Sequence, residues 1–137
     1  MRRAIRTSVR LCAESFDLSG PVVEVGSCYP PGYEGLCDQR CFFPALEYIG
    51  CDIRKGLGVD SVDDAEALSF ADGAVGTMLL LEILEHLPHP EKAVAEAHRV
   101  LRDEGLLMLS VPFNCYLHGF PSDYWRFTAS GVHTLLI

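Results

Sequence analysis

The chain has 137 residues, 49% of them apolar, and its 11 basic and 19 acidic side chains give a formal charge of −8. That length fits a single domain with a real apolar core. The acidic balance repels a phosphate backbone, so nucleic acid is not an expected partner.

Residues 3–16 are predicted as an amphipathic helix, because Ile5, Val9, Cys12 and Phe16 recur at helical spacing beside a solvated basic edge of Arg2, Arg3, Arg6 and Arg10. Glu14 and Asp17 interrupt that edge and argue against a transit peptide; no secretory signal is expected. Ser19-Gly20-Pro21 breaks the helix and launches a buried strand, Pro21-Val22-Val23-Glu24-Val25-Gly26-Ser27. Pro30-Pro31-Gly32 then forbids an immediate helix. A short helix is predicted over 36–46, a second strand over 48–53, a turn at Lys55-Gly56-Leu57-Gly58, a third strand over 59–62 and one helical turn over 63–68.

Asp72-Gly73 turns the chain into a fourth strand over 74–81, apolar throughout as a strand buried on both faces should be. Its longest apolar stretch, Met78-Leu79-Leu80-Leu81, stops at Glu82, far short of the ~20 residues a membrane span needs. Pro90 suits the first turn of the next helix. Ala93, Val94, Ala97, Val100 and Leu101 form its apolar stripe, and Gly105 falls just past its expected end. A fifth strand is predicted over 106–111, stopped by Pro112. A long polar-aromatic loop, expected as an ordered lid, follows over 113–127, and a last helix opens at Thr128-Ala129-Ser130. Alternating strands and helices predict a doubly wound α/β fold with a mostly parallel sheet and helices on both faces.

In such a sheet, a strand that stops at a glycine and a next strand that stops at an acid build a pocket for an adenosyl group. Gly26 lets backbone approach the ligand, and Asp52, closing Tyr48-Ile49-Gly50-Cys51-Asp52, is placed to take ribose hydroxyls. The pyrophosphate fingerprint G-x-G-x-x-G is absent, so the pocket reads as one for adenosine without phosphates. Glu82 leaves a buried strand, where an unpaired charge is costly, so a functional or paired role is expected. Glu85-His86 either organises the turn before Pro88 or lends His86 to the chemistry. His89 and His98 read as surface residues, Trp125 as a packing residue, and Asp123 with Arg126 as an ordinary surface pair. The six cysteines contain no C-x-x-C pair, and a zinc site on Cys37 and Cys41 would need two more ligands from scattered positions. No metal is expected. The cysteines read as reduced thiols used as small hydrophobes, which suits a cytoplasmic protein.

The order of Val22-Val23-Glu24-Val25-Gly26, Tyr48-Ile49-Gly50-Cys51-Asp52, Asp64-Ala65-Glu66, Leu84-Glu85-His86 and Arg99-Val100-Leu101 resembles the class I S-adenosylmethionine-dependent methyltransferases, most closely their type 11 branch. The resemblance covers nearly all of the chain from Pro21 onward. It implies a Rossmann-like methyltransferase fold and S-adenosyl-L-methionine as cofactor. It places Glu24 and Gly26 beside the methionine part, Asp52 on the ribose, Asp64 and Ala65 facing the adenine, and Leu81 and Glu82 at the methyl end; Ser27 and Ile53 complete the cofactor-binding set. The segment from His118 to Thr128 resembles a subgroup of that branch. His86, His118 and Asp123 are the candidate catalytic residues.

The sequence departs from the family at Cys28, where a second glycine is usual, and at Val75-Gly76, where Phe-Asp is usual. The family's sheet has seven strands; five are counted here, and the chain is expected to be an incomplete core over 21–137, truncated after the fifth strand, behind an N-terminal helix within 1–20. The implied function is methyl transfer to a small-molecule acceptor, without membrane association. The alternatives are a non-catalytic relative that binds cofactor or a partner, and an NAD-dependent oxidoreductase, which the missing fingerprint disfavours.

Overall fold

The computed structural model describes residues 2–118 and 122–137; Gly119, Phe120 and Pro121 of the aromatic loop lie outside them. Helix α1 (Arg2–Ser15) leads into β1 (Val22–Val25), α2 (Glu34–Cys37), β2 (Tyr48–Asp52), β3 (Ser61–Val62), β4 (Val75–Leu81), α3 (Pro90–Val100), β5 (Leu101–Ser110) and α4 (Ala129–Leu136). The strands make one sheet in the order β3-β2-β1-β4-β5, and every neighbouring pair is parallel. This is the doubly wound α/β architecture expected from the alternation of elements.

Side chains alternate across the central strands. Val23, Val25, Met78 and Leu80 pack on one face against Ala93, Ala97 and Val100 of α3 and, at the margin, Val132 and Leu135 of α4. Val22 and Leu79 face the other way, against Val9 of α1 and Phe43. The β4 residues Val75, Met78, Leu79 and Leu80 are at most 1% exposed, which is why that strand reads as an unbroken apolar run. Thr128 caps α4, its hydroxyl accepting the Gly131 N–H at 3.0 Å.

Four local expectations are corrected. The helix predicted over 36–46 is instead α2 plus a 3-10 turn at Arg40–Phe42, because the Asp38 carboxylate takes the Arg40 N–H at 2.9 Å and interrupts the helical ladder. No helical turn forms over 63–68. The Asp63 carboxylate accepts from the Asp64 N–H (3.0 Å) and the Ser69 hydroxyl (2.7 Å), and Asp64 accepts from the Glu66 N–H, leaving a tight turn. The third strand is only two residues long. The fifth strand begins at Leu101, directly after α3, so Gly105 sits inside it, within the break in register between Val75↔Leu101 and Thr77↔Leu106.

Arg99 explains one of the sequence signatures. Its guanidinium bridges Glu96 (2.7 Å) and Asp72 (2.7 Å) and donates to the carbonyls of Leu68 and Phe70 (2.9 Å each). It therefore ties the loop between β3 and β4 to α3.

Gly50 shows how closely the sheet's outer half is assembled. A Cβ there would lie 2.0 Å from the Gly58 carbonyl oxygen and 2.8 Å from the Ser27 hydroxyl. The obstructing carbonyl is backbone, so Gly50→Ala must displace the segment leading to β3. It is expected to cost at least ~2 kcal/mol. A urea midpoint unchanged from the wild type would contradict this packing.

Candidate functional site

The strand ends create the site. β1 stops at Gly26, whose φ of +82° is a left-handed conformation that glycine adopts without strain. A Cβ on Gly26 would meet Ile83 at 2.9 Å. The chain leaving β1 is pinned to the end of β2, since the N–H groups of Gly26 and Ser27 both donate to the Cys51 carbonyl (2.8 and 3.0 Å). Asp52, buried at 6% exposure, closes β2. It accepts from the Cys28 N–H (3.2 Å) and the Arg54 N–H (3.0 Å), and pairs with the Arg54 side chain (3.3 Å). At the end of β4, Glu82 turns the chain with a φ of +53°, unusual for a residue with a side chain.

These ends border two cavities. The larger, of about 790 Å³, is lined by Glu24, Gly26, Ser27, Asp52, Leu81, Glu82, Glu85, His86 and His118, among others. The smaller, of about 120 Å³, lies between Val25, Ile53, Asp64, Ala65, Ile83 and Leu87. Gly26, Asp52, Arg54, Ile83 and His86 border both. Every residue expected on the cofactor thus lines one cavity or the other. The Asp64 carboxylate itself is engaged in its own turn.

Three acids dominate the larger cavity. Glu24 is buried and accepts a 2.5 Å hydrogen bond from the Tyr48 hydroxyl; burial pushes its pKa up to about 7. Burial also raises Tyr48, assisted by the Glu24 charge. Glu82 has one buried carboxylate oxygen without a hydrogen-bond partner. Glu85 is fully buried and neither carboxylate oxygen has one; burial raises its pKa, with the nearby Glu82 adding to the rise.

The described part of the aromatic loop after residue 121 is fastened to this end of the sheet. The Glu85 carbonyl accepts from the Tyr124 N–H (2.8 Å), the Trp125 indole donates to the Leu87 carbonyl (2.8 Å), and Phe127 is buried in the core. Asp123 lines neither cavity. Its carboxylate is bound by the Arg126 guanidinium (2.5 and 2.8 Å) and by the His118 N–H (2.8 Å), and the Arg126 contact holds its pKa well below the usual carboxylate range. The ordinary surface pair expected here is instead a buried knot on the Asp123 side: that side chain is 4% exposed, and Arg126 also donates to the carbonyls of Cys115 and Tyr116.

Residues 37–109, more than half of the chain, match the family model of a methyltransferase domain. The chain belongs to the type 11 methyltransferase-domain family. Among solved structures, the domain is similar to an S-adenosylmethionine-dependent methyltransferase from Thermotoga maritima (18% identity, TM-score 0.66, covering 98% of this chain and 70% of that one). It is also similar to the YcgJ protein of Bacillus subtilis (23%, 0.56, 74% and 49%) and to the [4+2]-cyclase SpnF (20%, 0.64, 98% and 57%). The chain spans about half the length of YcgJ. No curated protein matches it. No helix among the described residues is long and apolar enough to cross a membrane.

Two residues of this methyltransferase domain's site were not anticipated from sequence. In the sequence Glu85 reads only as part of a turn, although the cost of a buried charge that marks Glu82 applies equally between Leu84 and Leu87. Tyr48 looked like an ordinary strand aromatic; only the register of β1 against β2, which sets Val22 opposite Tyr48, brings its hydroxyl to Glu24.

Glu24 gives a pH test. Its folded pKa lies above the unfolded value of about 4.5, so its contribution to stability is full below that value and is lost as pH rises through about 7. A shift of that size corresponds to roughly 3 kcal/mol at most. The unfolding free energy of Glu24→Gln, compared with wild type by denaturant titration, is expected to improve steadily from pH 5 to pH 8. A difference that stays constant across that range would show that Glu24 is already ionised in the folded protein.

Proposed function

We propose that this domain binds S-adenosyl-L-methionine across the two cavities and transfers its methyl group to a small-molecule acceptor. The observation that carries the reading is Asp52, a carboxylate held at a strand end on the wall common to both cavities. A ligand with adenine in the smaller cavity and an amino acid in the larger one must set its ribose between them, beside that carboxylate.

The residues fit the group on their own chemistry. The ligand carries no phosphate, and the loop after Gly26 runs through Pro30 and Pro31 with no long helix to offer an anion site. It carries cationic sulfur and an ammonium group, which suit the unpartnered oxygens of Glu82 and Glu85 and the buried Glu24. Gly26 leaves open the space that a side chain would fill.

When bound, S-adenosyl-L-methionine supplies a methyl group on a sulfonium sulfur. The rest is positioning. Asp52 accepts from the ribose hydroxyls, while Ile53, Asp64 and Ala65 wall the adenine. Glu24, Ser27, Leu81 and Glu82 hold the methionine end. His86 and His118 face the same cavity and are the side chains best sited to take a proton from an acceptor; Asp123, held by Arg126, fixes the backbone of His118. The acidic surface favours a small acceptor over nucleic acid, and six cysteines outside any disulfide suit a reducing cytoplasm.

Likeness to a cyclase supports a second reading, in which the cofactor is bound and no methyl group moves. Transfer of labelled methyl groups separates the two. The cofactor assignment itself is tested by Asp52→Ala, which is expected to weaken S-adenosylhomocysteine binding by ~1–3 kcal/mol in calorimetry. Unchanged affinity with an intact circular dichroism spectrum would refute the ribose role.

A further inference from the structure

We propose that Glu85, His86 and His118 form a binding site for a divalent transition-metal ion at the acceptor end of the larger cavity. One candidate ligand atom from each of the three lies within 4.8 Å of those of the other two. The Glu85 carboxylate lies 3.7 Å from His86 Nε2, and the two imidazole rings stand 5.2 Å apart, edge to face.

Three features distinguish this cluster from a chance gathering of polar groups. First, Glu85 is fully buried, and among the described residues neither carboxylate oxygen has a partner within hydrogen-bond distance. A buried, unpartnered carboxylate is costly, and a cation is the partner that removes the cost. Second, both histidines are oriented from behind. His86 Nδ1 meets the Ser122 carbonyl, and His118 Nδ1 meets the Tyr116 carbonyl at 3.2 Å, with the Asp123 carboxylate 3.6 Å away. A carbonyl accepts only, so each Nδ1 carries the hydrogen, and in the neutral ring that leaves the lone pair on Nε2, the arrangement that supports metal-ligating histidines. Third, the backbone is fastened on both sides. His86 belongs to the 3-10 turn Leu84–His86 after β4, His118 follows β5, and the Glu85 carbonyl joins the two segments through the Tyr124 N–H.

Two imidazoles and one carboxylate suit zinc, iron, cobalt or nickel better than magnesium or calcium, which prefer all-oxygen shells. Three protein ligands leave positions open toward the cavity. A hydroxyl- or carboxylate-bearing acceptor is the substrate class such an ion would take; that extension rests on the methyl-transfer reading, whereas the metal site does not. With an ion present, the two histidines serve as ligands and not as proton acceptors. The site departs from the expectation of no metal because its ligands are not the cysteines on which that expectation turned.

The test is titration of the intact, metal-depleted chain with Co²⁺ and Zn²⁺, by visible absorption and calorimetry, in parallel with S-adenosylhomocysteine. The expected result is one ion per chain with no thiolate-to-cobalt charge-transfer band. Affinity should fall at least ~10-fold in His118→Ala and in the near-isosteric Glu85→Gln. Absence of saturable binding, full affinity in both variants, or a thiolate band would each overturn the site. The S-adenosylhomocysteine titration reports separately, so failure of the metal site and failure of the cofactor reading are distinguishable.

Discussion

The structure depends on a reversal in the direction of sheet growth. From β1 the chain builds outward through β2 and β3, then returns to lay β4 on the other side of β1 and continues to β5. The connection from β1 to β2 packs with α1 on one face, and α3, joining β4 to β5, covers the opposite face. Helices that diverge in this way cannot cover the carboxyl ends of β1 and β4, and a crevice opens there. Gly26, Asp52 and Glu82 are simply what stands at the strand ends around it.

Burial and charge then oppose each other at that crevice. Strands hidden on both faces demand apolar side chains, yet Glu24 lies inside β1, and Glu82 and Glu85 follow β4 closely. Tyr48 partly satisfies Glu24, and among the described residues the Glu85 carboxylate oxygens have no side-chain hydrogen-bond partner. Acids kept in such places raise their pKa values or await a cation, whether a sulfonium, an ammonium or a metal ion. The segments 112–118 and 122–127 stand at one side of the crevice, and the first supplies His118. The Asp123–Arg126 knot spends the aspartate on holding the loop and leaves the histidine facing the cavity.

The fold was legible where local pattern and burial agree: the apolar β4 run, Pro90 opening α3, and the glycine and acid ending β1 and β2. Misreadings fell where side chains capture backbone. Asp38 and Asp63 each divert N–H groups that a helix would have used, and sequence periodicity cannot register such diversions. The early start of β5 was hidden because Arg102, Asp103 and Glu104 are exposed and polar while their neighbours pair with β4. At the site, residues on strand ends were readable from their order alone. Tyr48 and Glu85 act through contacts set by register and turn geometry, which no linear spacing encodes.

The central claim is that one phosphate-free adenosyl ligand spans the crevice. The most direct measurement is amide chemical-shift mapping of the isotopically labelled chain during separate titrations with S-adenosylhomocysteine and with NAD. The account predicts saturable shifts with S-adenosylhomocysteine at both cavities together, at Gly26 and Ser27, at Asp52 and Ile53, and at Asp64 and Ala65, and none with NAD. Saturation by NAD, or S-adenosylhomocysteine shifts confined to one cavity, would contradict it.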